Sequence, residues 1–458
     1  MRRIGFCFRV VSLMALTGLA AGFSQVPHTL NYAPGKHITL NLPKAFDINI
    51  AARGLRRVRF FAKSPDGRIF VTGMHDLSDN RLGSVFILDG WNEQTHTFTH
   101  VTHYLDQLRN PNNLAFWTDP VTHQSWLYLP LTDRLVRYKY NAGDSVPSSE
   151  PETLIRFPDY GLSYKYGGWH LTRTVAVATI RGATRVLVAA GSSCNYCRER
   201  EVLRAAVVSM DPDGSNQQLL ALGLRNAVDL HAVAALGGAV FATNMGADHL
   251  GDNLPEDTFL KLDTNASEPP NYGWPACYFA QGKPVYDIAP LPALDHPEEF
   301  APTPGGSDSV YGRQTGVAAA GTNLGAGGGH AAEPDPNANL GQVPAPLKFC
   351  EQVPAAYATF AAHSSPLGFS YFDHDPELKE GFLVALHGAS HPHIGTGYRV
   401  VRFTTTDRTP RDFITGFLTL ENGKSVVHGR PCGILRVGPD SFLLTDDYLG
   451  LVYFVHPR

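Results

Sequence analysis

The chain has 458 residues and a formal charge of −4 at pH 7, and only 17% of its residues are charged. This balance excludes the strongly basic surface that nucleic-acid-binding proteins carry, so we predict no nucleic-acid partner. The 44 glycines and 33 prolines punctuate the whole chain, aromatic residues reach 10% and helical periodicity is scarce, which together favour many short strands over long helices.

Residues 1–24 have the composition of a secretory signal peptide. Three arginines lie in or beside its start, and the apolar stretch VVSLMALTGLAAGF follows them. This stretch is shorter than a membrane anchor requires, and no other segment approaches a membrane span. We therefore expect a cleaved leader and a mature protein in the periplasm or outside the cell.

One pattern recurs six times after the leader: an apolar run, a turn with Asp or Gly, and a β-branched or aromatic run. Each copy is typical of two strands joined by a hairpin turn. The starts lie roughly 40–60 residues apart, except across one interruption, which is the spacing of propeller blades. The sequence therefore predicts an all-β fold, a six-bladed β-propeller, as a single domain over 25–458. The copies lie at 61–74, 114–140, 175–193, 228–246, 367–389 and 433–456.

The interruption is a Gly/Pro-rich insertion at about 280–350. Its composition offers too little apolar surface to order itself as a core. Two readings stay open: an insertion without a function, or a flap over one face of the propeller.

Five cysteines follow the leader, which fits an oxidising compartment. Cys277 and Cys350 flank the insertion and would join its two ends. Cys194 and Cys197 could form a local disulfide or bind a metal, although no second Cys/His pair of the usual spacing accompanies them. Cys432 is the odd residue, and we expect it to be a small buried apolar side chain.

The residues that could carry chemistry form short polar clusters at matching places in the repeats. A propeller builds its site from the loops around one end of the central channel, so clusters at matching places of the repeat are expected to meet there. The clusters are Arg59, NPNN (110–113), GGWHLTR (167–173), GLRNAVDL (223–230), NMGADHLGDNLPED (244–257), HGASHPHIGTGYR (387–399) and GRPCG (429–433).

From about residue 55 to the C terminus, apart from the insertion, the chain resembles the glucose/sorbosone dehydrogenase family. Its motifs occur in the family's order: WHLTRTV, LVAAGSSCN, GLRN, NMGADHLGDNLPED, NYGWP, HSSPLGFSYF, VALHGA and GRPCG. The resemblance implies an exported quinoprotein that uses pyrroloquinoline quinone (PQQ) and calcium. It also implies oxidation of a sugar, or of a sugar-derived aldehyde or hemiacetal, and transfer of electrons to an external acceptor such as a cytochrome c or a quinone.

Two residues are the catalytic candidates. His170 resembles the family's base, and an imidazole that titrates near neutrality could take a hydroxyl proton as hydride leaves the substrate carbon. Arg225 resembles an arginine beside the quinone, where a fixed positive charge stabilises the negative charge gained on reduction. The alternatives are a packed histidine and a surface arginine.

The resemblance also implies a cofactor-binding set. Asn226 would contact the quinone together with Arg225, while Arg59 and Arg430 resemble carboxylate-binding arginines. Asn112 or Asn113 would add an amide contact.

The 244–257 loop combines acidic side chains with glycines, which suits calcium. The resemblance implies that the backbone carbonyls of Gly246 and Ala247 hold the ion. An acidic solvated loop is the alternative.

The chain departs from the family at two places. Where relatives support the histidine with an acidic or second polar residue, this chain has Trp169 and Ser192–Ser193. The HGSWNR-like stretch of relatives is HGASHP here, so a cation is missing, and His391 or His393 could replace it.

Two other functions therefore stay open. A metal-dependent lactonase on a six-bladed propeller would need carboxylates and asparagines aimed at one metal, whereas this chain offers more arginines. A ligand-binding propeller without catalysis is the other alternative, and the altered HGASHP stretch is the argument for it.

Overall fold

The structure is a computed structural model that describes residues 24–158, 170–197, 199, 201–288, 346–373, 378 and 380–458. The predicted signal peptide up to residue 23, Trp169 and most of the predicted insertion, 289–345, lie outside the described residues. None of the helices in the described part is long and apolar enough to cross a membrane.

The described chain begins with three strands that precede the first blade. The first two pair with each other as an antiparallel hairpin, and the third pairs with the last strand of the chain. They are β1 (Gln25–Ala33), β2 (Lys36–Pro43) and β3 (Phe46–Arg53).

Six four-stranded antiparallel sheets follow within the described residues, each built largely from strands that are consecutive in the chain. Blade 1 contains β4 (Val58–Lys63), β5 (Ile69–Gly73), β6 (Gly83–Asn92) and β7 (Thr97–Leu108). Blade 2 contains β8 (Ala115–Thr118), β9 (Ser125–Leu131), β10 (Arg134–Tyr140) and β11 (Glu152–Arg156). Blade 3 contains β12 (Arg173–Ile180), β13 (Ala183–Ala190), β14 (Ala206–Met210) and β15 (Gln218–Leu222).

Blade 4 is interrupted before its outer strand. It contains β16 (Ala227–Val233), β17 (Ala239–Asn244) and β18 (Asp257–Leu262); a hairpin of β19 (Cys277–Ala280) and β20 (Lys283–Tyr286) and the helix α1 (Pro346–Glu351) then precede its fourth strand, β21 (Ala358–Phe360). Blade 5 contains β22 (Pro366–Phe372), β23 (Gly381–Leu386), β24 (Arg399–Thr404) and β25 (Arg411–Ile414). A hairpin of β26 (Leu418–Glu421) and β27 (Lys424–Val427) leads to blade 6, with β28 (Pro431–Arg436), β29 (Phe442–Asp446) and β30 (Leu451–Pro457).

The strand β3 completes blade 6 as its outer strand, with Ile48 opposite Val455. The N-terminal and C-terminal ends of the described chain are therefore joined in one sheet, which closes the ring of blades. Each of the six predicted repeats falls within one blade, so the predicted all-β six-bladed propeller is confirmed.

The first strand of each blade is its inner strand, and neighbouring inner strands contact each other around the channel axis. Phe60, Val228, Leu367 and Cys432 come from four of these strands and form one buried apolar cluster. Cys432 is a free thiol there, as expected. A Cβ at Gly433 would come within 2.3 Å of the Arg59 carbonyl oxygen, so only glycine permits this approach of blade 6 to blade 1.

Buried threonine hydroxyls link adjacent blades. The Thr445 hydroxyl accepts from the Gly433 amide at 2.6 Å and donates to the Arg59 carbonyl at 2.6 Å, which joins blade 6 to blade 1. Thr243 donates in the same way to the Leu367 carbonyl of blade 5 at 2.9 Å. Thr72 of blade 1 donates to the Asn112 carbonyl before blade 2, and Thr174, on the inner strand of blade 3, donates to the Val228 carbonyl of blade 4, both at 2.5 Å.

Both proposed cysteine pairs form disulfides. Cys277 and Cys350 join the start of β19 to α1, across the predicted insertion. Cys194 and Cys197 close a short loop after β13, which settles the alternative between a disulfide and a metal site at this pair.

We predict that Thr445→Val destabilises the propeller by about 1–3 kcal/mol, because the isosteric valine leaves the buried Gly433 amide and Arg59 carbonyl without this hydrogen-bond partner. Chemical denaturation of the purified protein measures the effect. Thr118→Val is the matched control, because Thr118 is exposed at the end of β8 and its hydroxyl bonds to the Ser125 hydroxyl rather than to another blade. An unfolding midpoint equal to that of the wild type for Thr445→Val would contradict the prediction.

Candidate functional site

All predicted site residues lie at one end of the channel. Inner and second strands are antiparallel, so each inner strand starts at the end where its second strand stops. The residues at or before the inner-strand starts and after the second strands therefore share this end, which we call the channel mouth. The predicted residues there are Arg59, Asn112, Asn113, His170, Arg225, Asn226, Gly246, Ala247 and Arg430.

His170 lies just before β12 and is half-buried. Its Nδ1 is 3.0 Å from the Ser192 carbonyl oxygen and 3.0 Å from the Ser192 hydroxyl. Because a carbonyl oxygen only accepts, this contact assigns the ring hydrogen to Nδ1 and makes Nε2 the basic atom. A Cβ at Gly191 would lie 2.6 Å from His170 Cβ and 2.5 Å from Asn226 Oδ1, so a glycine is needed where these two residues converge.

The expectation that His170 titrates near neutrality is corrected by its surroundings. Burial, followed by the positive charge of Arg225 and then those of Arg204 and Arg173, lowers the pKa of His170 well below its ordinary value of 6.5. The imidazole is therefore neutral at physiological pH. A neutral ring is able to accept a proton, but it is a weaker base than an unperturbed histidine.

Arg225 is buried between two loops of the mouth. Its Nε donates to the Asn195 carbonyl at 2.9 Å, and its Nη2 donates to Asn195 Oδ1 at 2.7 Å and to Asp248 Oδ2 at 3.1 Å. Burial lowers the pKa of Arg225, and Asp248 and Asp257 oppose that shift. The guanidinium is thus held in one plane beside His170 by fixed acceptors.

Asn226 presents a side-chain amide that lacks a strong partner. Its Oδ1 is buried and has no hydrogen-bond partner among the described residues. Its Nδ2 reaches only the thioether sulfur of Met245 at 3.4 Å, a weak acceptor. The backbone of Asn226 is fixed by the Asn244 side chain, to which its amide donates at 3.0 Å. A buried amide in this condition is suited to a ligand that completes its hydrogen bonds.

Arg59 and Asn112 contact each other directly. Nε and Nη2 of Arg59 donate to Asn112 Oδ1 at 3.3 and 3.0 Å, and Nη1 donates to Asp447 Oδ2 at 3.2 Å. The Nδ2 of Asn112 donates to Thr174 and to the Val228 carbonyl. These contacts join blades 1, 2, 3, 4 and 6 beneath the mouth.

Asn113 pairs with the backbone of the next blade. Its Nδ2 donates to the Val175 carbonyl at 2.8 Å, and its Oδ1 accepts from the Val175 amide at 2.8 Å. This bidentate pair joins blade 2 to β12, so the geometry favours Asn112 over Asn113 as the amide nearer the arginine cluster. A cofactor contact by either residue stays a prediction.

Arg430 lies just before β28 of blade 6, and its guanidinium contacts residues of blade 5. Its Nη1 donates to the Gly388 carbonyl at 3.0 Å, and its Nη2 donates to the Ala389 carbonyl at 3.1 Å and to the Tyr398 hydroxyl at 2.8 Å. The guanidinium also lies 4.7 Å from the centre of the Tyr398 ring.

A buried carboxylate that the sequence reasoning missed connects the arginines. Asp447 accepts hydrogen bonds from Arg59 and from His387 Nε2 at 2.8 Å, and it forms an ion pair with Arg57, whose Nη1 lies 3.6 Å away. Burial opposes its ionisation, but these three partners lower the pKa of Asp447 well below the ordinary carboxyl range. His387 Nδ1 in turn lies 3.5 Å from Arg430 Nη1. The paired acids at 446–447 directly after a strand were the available sequence signal.

His387, rather than His391 or His393, is the histidine of this stretch that lies beside Arg430, and replacement of the missing cation by His391 or His393 stays a prediction. His391 precedes a short 3-10 turn, Pro392–Ile394, His393 lies within that turn, and both side chains are exposed. Of the two serines that replace the family's supporting residue, Ser192 contacts His170. Ser193 instead donates to the buried Glu199 at 2.7 Å.

The loop that contains Gly246 and Ala247 is fixed through its amides. The Met245 amide donates to the Asn226 carbonyl, the Gly246 amide to Asp257 Oδ1 at 2.7 Å and the Asp248 amide to Asn195 Oδ1 at 2.9 Å. Asp257 is buried, and burial raises its pKa to about 7.

In the described part of the chain, no hydrogen bond ends on the carbonyl oxygen of Gly246 or Ala247. Nor do three or more His, Cys, Asp or Glu side chains within the described residues group in a way that could hold a metal ion. Backbone oxygens of this loop are hard donors of the type that calcium prefers.

Two solved structures share the architecture over almost the whole chain. A Trichoderma reesei structure of Carbohydrate-Active Enzymes Family AA12 has a TM-score of 0.60 and 16% sequence identity, and covers 91% of this chain and 97% of that chain. The holo form of the pyranose dehydrogenase PQQ domain from Coprinopsis cinerea has a TM-score of 0.59 and 17% identity, and covers 92% of this chain and 97% of that chain.

Sequence comparison adds one relative. An uncharacterized protein of Borreliella burgdorferi is 21% identical over 434 residues, which make up 91% of this chain and 91% of that protein. The chain matches no protein-family model. At these identities the structural likeness establishes the fold: this chain shares the six-bladed propeller of PQQ-domain sugar dehydrogenases, as its motif order predicted.

Proposed function

We propose that this chain is an exported dehydrogenase that binds PQQ and calcium at the channel mouth and oxidises a sugar or a sugar-derived aldehyde or hemiacetal. Its electrons would pass to an external acceptor such as a cytochrome c or a quinone. The shared fold and the order of the motifs support this proposal, together with the chemistry of the mouth.

One observation carries the proposal. The mouth combines a neutral histidine with a buried guanidinium, that of Arg225, and with the Asn226 amide, whose buried oxygen has no hydrogen-bond partner among the described residues. Proton removal, charge stabilisation and ligand orientation are the three tasks that oxidation of a hydroxyl-bearing carbon by a bound quinone demands.

His170 would act as the base. Bound PQQ would supply the two-electron acceptor that takes hydride from the substrate carbon. The Nδ1–H group donates to Ser192, so the Nε2 lone pair would take the hydroxyl proton as the carbon is oxidised. The contact to Ser192 also fixes the ring orientation, which reduces the cost of alignment.

Arg225 and Asn226 would bind the cofactor next to His170. Arg225 brings a positive charge that is already desolvated and oriented by Asn195, so little reorganisation is needed when negative charge develops beside it. Rotation of the Asn226 amide would present either its NH₂ group or its oxygen to a ligand, at the cost of one weak contact to sulfur.

Arg59 and Arg430 would neutralise carboxylates of the ligand, and Asn112 or Asn113 would donate an amide hydrogen bond. Asp447 balances Arg59 and Arg57 in the free protein, so their combined charge toward the mouth is positive. The carbonyls of Gly246 and Ala247 would hold calcium. Hydrogen bonds from the Gly246 and Asp248 amides fix the backbone of this loop, and they leave the carbonyl oxygens available as ligands.

We predict that protein stripped of cofactor reduces a dye acceptor only when PQQ and calcium are both added with an aldose. Neither addition alone should suffice, because the quinone takes the electrons and the ion orients it. A chelator should abolish the restored activity. Activity that survives both exhaustive chelation and removal of the quinone would contradict the prediction.

We predict that His170→Gln lowers the rate of cofactor reduction by about 10²–10⁴-fold while quinone binding stays near normal, since glutamine preserves size but accepts no proton. Stopped-flow absorbance measures the rate, and a quinone titration measures binding. His103→Gln, at an exposed position of β7, is the matched control and should retain the wild-type rate. A folded His170→Gln protein with the full rate would contradict the assignment.

The pH profile of the wild type provides a separate prediction. Because the pKa of His170 lies well below 6.5, its basic form persists as the pH falls from 8 through 6.5. The loss of rate caused by protonation of His170 should therefore begin only below pH 6.5. The difference between the wild-type and His170→Gln profiles isolates this contribution, and a His170-dependent midpoint at or above 6.5 would contradict the prediction.

A further inference from the structure

The short loop closed by the Cys194–Cys197 disulfide contacts both Arg225 and the proposed calcium-binding loop. One of the residues that it encloses, Asn195, is half-buried between Arg225 and the loop that contains Gly246 and Ala247. Asn195 belongs to the LVAAGSSCN motif, but the chemistry proposed above gives it no role.

Asn195 accepts hydrogen bonds through two different oxygens. Its backbone carbonyl accepts from Arg225 Nε at 2.9 Å and from Trp274 Nε1 at 3.3 Å. Its Oδ1 accepts from Arg225 Nη2 at 2.7 Å and from the Asp248 amide at 2.9 Å. Two acceptors on one residue therefore fix the plane of the guanidinium, and the same Oδ1 fixes the backbone that follows Ala247.

We propose that Asn195 is a positioning residue that holds Arg225 and the 245–248 backbone in register with each other, and that the Cys194–Cys197 disulfide keeps Asn195 in place. This inference rests on the proposed function of the mouth. It assigns to one side chain the alignment of the charge-stabilising group with the calcium-binding carbonyls.

The ion pair between Arg225 and Asp248 holds the guanidinium at a single atom, Nη2. The Asp248 side chain is 54% exposed, so solvent weakens this pair from the side of the carboxylate. Asp248 also shares its carboxylate with His363, whose Nδ1 lies 3.0 Å from Oδ1. Asn195 is neutral and accepts two hydrogen bonds from Arg225. Salt therefore weakens these bonds less than it weakens the ion pair with Asp248.

Further contacts bind the disulfide loop to the calcium-binding loop. Ala247 packs in one buried cluster with Tyr196 and Cys197. The Tyr196 ring stacks on His249 with a centroid distance of 3.8 Å, and His249 Nε2 pairs with the buried Asp287 at 2.7 Å. The two loops therefore form one packed unit.

The disulfide loop also reaches the base. The Ser192 hydroxyl donates to the Cys194 carbonyl at 2.6 Å, which leaves its oxygen free to accept from His170 Nδ1. Closing a short loop with a covalent bond removes alternative backbone conformations. The disulfide loop thus contacts Arg225 and the calcium-binding backbone directly, and His170 through Ser192.

The test compares Asn195→Leu with Asn195→Asp. Leucine removes Oδ1, whereas aspartate keeps an acceptor at the same place. In Asn195→Leu we expect the calcium concentration that half-restores dye reduction to rise, and the rate of cofactor reduction to fall, each by about 10- to 100-fold, which is the usual effect of residues that orient metal ligands. Asn195→Asp should recover both quantities to within about tenfold of the wild type.

Two matched controls separate positioning from general stability. Asn92 also accepts two backbone amides through Oδ1, but in the β6–β7 turn at the other end of blade 1, so Asn92→Leu should leave both quantities unchanged. Replacing both Cys194 and Cys197 by Ser should raise the calcium requirement and lower the rate of cofactor reduction, but less than Asn195→Leu does. Removing the Cys277–Cys350 pair should not.

A measurement of stability without cofactor tests the contact between Asn195 and Arg225 even if the variants lack activity for other reasons. In a double-mutant cycle with Arg225→Met, the loss in denaturation midpoint for the double variant should be smaller than the sum of the two single losses, because the two residues share the same bonds. Losses that add, or an Asn195→Leu protein that matches the wild type in calcium requirement and rate, would overturn the inference. A wild type that needs neither PQQ nor calcium would instead overturn the proposed function, while the cycle would still test the contact.

Discussion

The architecture depends on the hydrogen bonds by which buried threonine hydroxyls join one blade to the next. Thr445 illustrates the constraint, because its hydroxyl satisfies an amide in its own blade and a carbonyl of blade 1. The Arg59 carbonyl that accepts this bond belongs to the residue whose side chain reaches Asn112 and Asp447. Bonds that close the ring of blades therefore also set the positions from which the site side chains extend.

Positive charge governs the chemistry of the mouth. Burying several guanidiniums is costly unless acceptors surround them, and Asn195, Asn112 and Asp447 supply those acceptors. Burial, followed by the charges of Arg225, Arg204 and Arg173, keeps His170 neutral, which preserves its capacity to accept a proton at physiological pH. The arrangement thus couples the proposed binding of an anionic cofactor to the protonation state of the proposed base.

Local patterns in the sequence were enough to predict the propeller and the residues of the mouth. Strand pairs joined by tight turns are encoded within about 20 residues, and their repetition specifies blades regardless of how the blades meet. Because matching places in each repeat face the same end, Arg59, His170, Arg225 and Arg430 could be placed together before any geometry was known. The Cys277–Cys350 pair could be proposed because its cysteines flank a segment of distinct composition.

The sequence by itself thus determined the fold class and the number of blades, since these follow from short-range periodicity, while its resemblance to the glucose/sorbosone dehydrogenase family supplied the candidate residues and their roles. Only the tertiary structure decided which partners those residues have. Arg59 and Asp447 are 388 positions apart, and Asn195 is 30 positions from Arg225 in a different loop. The depressed pKa of His170 likewise arises from burial and from arginines outside its own motif as well as within it. Such contacts depend on how the blades close around the axis, and no local pattern specifies that distance.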